Sequence, residues 1–77
     1  ETHMYSLLLW EREPFLGGVT YIVDWGGFSI TAYYNTSQVE ADAQSWEMFD
    51  HNGYSLSTFN SLKQAQDYAE YLYETRE

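Results

Sequence analysis

Seventy-seven residues make a single domain, and twelve Asp and Glu against three Lys and Arg leave a formal net charge of -9. That field argues against DNA, RNA and anionic membrane as direct partners, because all three select basic surfaces. The 19% of Phe, Trp and Tyr excludes an acidic disordered tail, and the absence of Cys excludes both a disulfide framework and a Cys-based zinc site.

A chain this short buries little apolar surface, so its core must rest on the aromatics or on dimerisation. Glu1-Thr2-His3 reads as a cloning remnant before a native start at Met4, which places the domain at 4–77. The apolar run Tyr5 to Trp10 is too short for a signal peptide, and no stretch approaches the ~18 apolar residues of a membrane span. The cytoplasm of a host cell is the expected location.

Tyr5 to Arg12 predicts a first strand, ended by charge before Pro14, and Pro14 to Gly18 a loop. Val19–Trp25 and Phe28–Tyr34 flank Gly26-Gly27 and predict a hairpin with a two-residue turn. In that register Trp25 faces Phe28, Val23 faces Ile30, Tyr21 faces Ala32 and Val19 faces Tyr34, all on one apolar face. The other face carries Thr20, Ile22, Asp24, Ser29, Thr31 and Tyr33.

Ser37-Gln38-Val39-Glu40 matches a capping box and predicts either a short helix through Ala43 or a plain loop. Trp46–Phe49 and Tyr54–Phe59 are the next strands, joined at Asn52-Gly53 by a two- or four-residue loop. Ser61 and Gln64 cap a final helix to about Thr75, with Leu62, Ala65, Ala69 and Leu72 as its apolar stripe and Tyr68 beside it. Asp67, Glu70 and Glu74 lie toward its other side. The expected fold is α+β: an antiparallel meander of three to five strands packed on one C-terminal helix.

A single helix covers one sheet face, so Trp10, Ile22, Tyr33, Trp46 and Phe49, with Met48 and Leu8, are candidates for an exposed apolar patch on the other. Glu40, Asp42, Asp67, Glu70 and Glu74 are candidates for an acidic display toward a basic partner. Their bland readings are a second core and a solvated surface.

Catalytic chemistry has little to stand on. His51 has only Asp50 beside it, short of the three or four converging ligands of a metal site. Asp24 and Glu47 are carboxylates with nothing to fix their separation. Gly17-Gly18 and Gly26-Gly27 lack the Lys and the strand-to-helix context of a phosphate loop. No enzyme activity, metal or cofactor is expected. Asn35-Thr36-Ser37 matches a glycosylation sequon, which matters only in a secreted protein.

Phe59 to Ala69 is similar to the last part of integrase arm-type DNA-binding domains, and also resembles the helix of small acidic antitoxins. The first resemblance implies basic residues on the sheet and the second a Pro-containing segment before the helix. This chain has neither, so no functional residues are carried over. In overall character the chain resembles the small inhibitors that phages encode against host defence, including anti-restriction and anti-CRISPR proteins, some of them DNA mimics. That likeness implies a non-enzymatic inhibitor of a basic, nucleic-acid-handling protein. The alternative is an antitoxin-like regulator working through a hydrophobic partner face or a homodimer.

Overall fold

A computed structural model describes residues 8–34 and 39–76. The expected cloning remnant, the start of the expected first strand, the sequon and Ser37 lie outside the described residues. Five strands run β1 (Trp10–Phe15), β2 (Gly18–Val23), β3 (Ser29–Tyr33), β4 (Trp46–Phe49) and β5 (Ser55–Phe59). A 3-10 turn at Glu40–Asp42 precedes β4, and the helix α1 (Leu62–Glu74) follows β5. The strands pair antiparallel in the order β1-β2-β3-β4-β5, so the fold is the α+β meander with one helix.

The turns fall differently from expectation. β1 extends through Pro14 to Phe15, which an edge strand allows because Pro removes a donor the sheet does not need there. Phe15 pairs with Gly18, so the two-residue turn is Leu16-Gly17, with Gly17 at φ 99°. Gly26-Gly27 instead ends a four-residue loop, closed where the Val23 N–H donates to the Phe28 carbonyl at 3.3 Å. Val19 therefore faces Ala32 and Tyr21 faces Ile30, two residues from the expected register. Because side chains alternate with period two, the shift leaves every residue on its expected face.

The cause is visible in the loop. Trp25 leaves the ladder to pack on Phe28 (5.4 Å between ring centroids) and edge-on against Tyr73 of α1 (5.2 Å). Asp24 turns outward to hold the residue before β1, accepting from the Leu9 N–H at 3.1 Å while its own N–H donates to the Leu9 carbonyl.

The β4–β5 connection is neither of the two expected lengths. Asp50 and Tyr54 close a three-residue loop, His51-Asn52-Gly53, with Gly53 at φ 85°. The Asp50 carboxylate organises it, accepting from the N–H groups of Asn52 (2.9 Å) and Tyr54 (3.0 Å).

The core lies between the sheet and α1. Val19, Val23, Ile30, Ala32, Trp46 and Met48 meet Ala65 and Ala69, with Leu8 at the margin. The small alanines bring the helix close over β3, β4 and β5. Full burial of residues such as Ile30, Met48 and Val19 stabilises by about 1.5–3 kcal/mol each. The helix start is capped as its sequence predicts: Ser61 Oγ accepts from the Gln64 N–H at 3.1 Å. The Gln64 side chain reaches one residue further back than a standard box, accepting from the Asn60 N–H at 3.2 Å. Leu62 at the start of α1 and Tyr73 near its end both pack against the core, while Leu72 is half-buried.

Gly18 is required by space. A Cβ there would sit 2.3 Å from the Ala32 carbonyl oxygen and 2.8 Å from the Phe15 ring. Gly18→Ala is expected to cost about 1–3 kcal/mol, read as a fall in Tm of about 4–8 °C per kcal/mol by circular dichroism. Gly53→Ala meets nothing within 4 Å and costs only the backbone strain, about 1–2 kcal/mol.

Candidate partner-binding face

Alternation along the strands builds the sheet face opposite α1 in three rows. The first row joins Phe15 to Tyr33 across Gly18. The second runs Glu13, Thr20, Thr31, Glu47, and the third Glu11, Ile22, Ser29, Phe49. Phe15 and Tyr33 meet edge to face, 5.8 Å between centroids, yet remain 42% and 70% exposed. Ile22 is 37% exposed and Phe49 half-buried.

In the middle row the hydroxyls of Thr20 and Thr31 hydrogen-bond each other at 2.9 Å. Carboxylates stand at both ends, Glu13 and Glu47, three strand spacings or about 14 Å apart. Ser55 Oγ donates to Glu47 Oε2 at 2.6 Å and orients that carboxylate. The face is thus a polar, carboxylate-ended stripe between an aromatic row, Phe15 and Tyr33, and a mixed row in which Ile22 and Phe49 alternate with Glu11 and Ser29.

Of the expected patch, Ile22, Tyr33 and Phe49 lie here. Trp10, Trp46, Met48 and Leu8 do not, and that part of the expectation is corrected. Trp10 pairs with the buried Val23 and shares its core side. Trp46 is 3% exposed and its indole N–H donates to the Ala43 carbonyl at 3.2 Å. Met48 and Leu8 are core residues. Phe15 was missed because Pro14 was read as ending the strand; reading Leu16-Gly17 as the tight turn would have found it.

The expected acidic display divides between places. Glu40 is no free charge. Its Oε1 accepts from Arg12 Nε (2.9 Å) and Nη2 (2.7 Å), and its Oε2 from the Tyr21 hydroxyl (2.5 Å). Burial pushes the Glu40 carboxyl up, but the bonds from Tyr21 and Arg12 and the Arg12 charge outweigh it and hold the carboxyl below its ordinary range. Burial, and then Glu40, raise the Tyr21 phenol. Arg12 is raised chiefly by its hydrogen bond to Glu40. Together these bonds pin the 3-10 turn over the half of the sheet that α1 leaves open.

Asp42 is exposed on that turn. Asp67 pairs with Lys63 one turn earlier at 2.9 Å, and Glu70 and Glu74 lie on α1 too, across the sheet from Glu11, Glu13 and Glu47. Among the described residues, no three of His, Cys, Asp or Glu gather as metal ligands would. None of the described helices is long and apolar enough to cross a membrane.

Comparison with known proteins returns no matching family, no matching characterised protein and no matching solved structure.

The Glu40 clamp has a pH signature. A carboxyl held below its unfolded pKa stabilises the fold at neutral pH, and that share is lost as pH falls through the depressed value. Glu40→Gln should lower stability at pH 7 by about 1 kcal/mol, since the half-exposed Arg12 contributes little through its screened charge. The gap between wild type and variant should close as thermal melts are repeated toward acid pH.

Proposed function

We propose that this chain is a small, acidic, non-enzymatic protein that binds and inhibits a basic nucleic-acid-handling protein, in the manner of phage anti-defence inhibitors. The observation that carries the reading is the face opposite α1. It sets the exposed Phe15, Tyr33 and Ile22 beside Glu11, Glu13 and Glu47 on a chain of net charge -9. Aromatic anchors with surrounding carboxylates suit a protein surface rich in Lys and Arg, where opposite potentials speed association and desolvated rings supply affinity.

The mode favoured is charge-steered docking through this one face. A DNA-like charge array is the less favoured mode, because the helix acids and the sheet acids lie on opposite sides. A regulator with a hydrophobic partner face is supported by the same exposed rings, and salt separates the two readings.

The test is capture from host lysate at low and high salt, followed by affinity measurement with the recovered protein. Steered docking predicts a nucleic-acid-handling partner whose affinity falls with salt. Tyr33→Ala is expected to weaken binding by roughly tenfold or more, and Glu13→Lys with Glu47→Lys to slow association, while Asp67→Lys changes little. A salt-insensitive partner that tolerates the Glu13 and Glu47 reversals would replace this reading with the hydrophobic regulator.

A further inference from the structure

The two edges of the sheet are built differently. β1 is guarded by Glu11, Arg12 and Glu13 and carries Pro14, which offers no N–H to an added strand, all devices that discourage strand addition. β5, Ser-Leu-Ser-Thr-Phe, has neither a charge nor a proline, and Ser55, Leu56, Ser57 and Thr58 are all exposed. Among the described residues no strand lies beyond it. The outer edge of such a strand presents unpaired N–H and C=O groups.

The helix flank beside this edge is also uncharged. Tyr68 packs on Phe59 of β5 (5.6 Å between centroids) and stacks with Tyr71 (6.2 Å). At about 3.6 residues per turn, Gln64 and Thr75 share the Tyr68 flank and Lys63, Glu70 and Glu74 turn away from it, while Asp67, one turn before Tyr71, borders the shelf on its outer side and is paired with Lys63. β5 and the Tyr68 flank carry no charge of their own on a chain of net charge -9, and the adjoining carboxylates, Glu47 of β4 and Asp67 of α1, are held by Ser55 and Lys63.

We propose that a second copy of this chain docks here, β5 pairing antiparallel with β5 of its partner about a twofold axis at Ser57. Charge compatibility favours this occupant: two such acidic chains repel each other least where the facing strands carry no charge, and β5 meets that condition. The register is self-compatible. Ser57 faces Ser57 of the partner subunit, Leu56 faces Thr58, Ser55 faces Phe59, and no like charges oppose. One ten-stranded sheet results, with both helices on one side and both carboxylate-bearing faces continuous on the other.

The test is sedimentation equilibrium across a concentration series on the full chain and two variants, Ser57→Glu and Ser57→Lys, each checked for folding by circular dichroism. The wild type should associate to twice its 9.1 kDa mass, more tightly as salt screens the mutual repulsion. Each variant alone should lose association by at least about tenfold, and an equal mixture of the two should regain it, since opposite charges then meet at the axis. A wild type that stays monomeric at every concentration and salt would overturn the proposal, as would a dimer that survives both substitutions. The salt response is opposite in sign to that expected for the basic partner, so failure of either proposal is read separately.

Discussion

Everything in this fold follows from one constraint: among the described residues, five strands present two faces, and one α-helix is there to cover them. Side chains alternate across a sheet, so each strand places half its residues under the helix and half on the open side. The core side takes Val19, Val23, Ile30, Ala32, Trp46 and Met48. The open side must be tolerable in water, and Thr20, Thr31, Ser29, Glu11, Glu13 and Glu47 make it so. The apolar residues left among them, Phe15, Ile22, Tyr33 and Phe49, carry the functional reading.

Even the covered side is covered incompletely. α1 lies over β3, β4 and β5, and on the β1–β2 half Glu40 of the 3-10 turn reaches Arg12 and Tyr21. Glu40 holds that turn through Arg12 and Tyr21, which commits its carboxylate to the fold and not to display. The chain's own acidity is thereby divided into a structural share and a surface share, and only the latter can steer a partner.

Much of this was legible in the sequence. The apolar alternation from Val19 to Tyr34, the Ser61–Gln64 cap and the alanine stripe of α1 are local signals, and each appears where the sequence places it. The exact pairing was not legible, because period two separates the faces equally well in registers two residues apart. Ring packing among Trp25, Phe28 and Tyr73 decided it, and Tyr73 is some fifty residues distant in sequence. Trp10 and Trp46 were misplaced for the same reason: nothing local says which side of the sheet a lone strand turns toward the helix. The Arg12–Glu40–Tyr21 contact joins residues from three segments, and no spacing rule announces it.

The central claim is that the face opposite α1, and not the helix side, meets the basic partner. The sequence holds only two isoleucines, Ile22 on the open face and Ile30 in the core, which makes isoleucine methyl NMR the direct measurement. On titration with the partner recovered by capture, the Ile22 methyl should shift or broaden while that of Ile30 stays in place. A bound complex in which Ile22 is unmoved would contradict the assignment of this face.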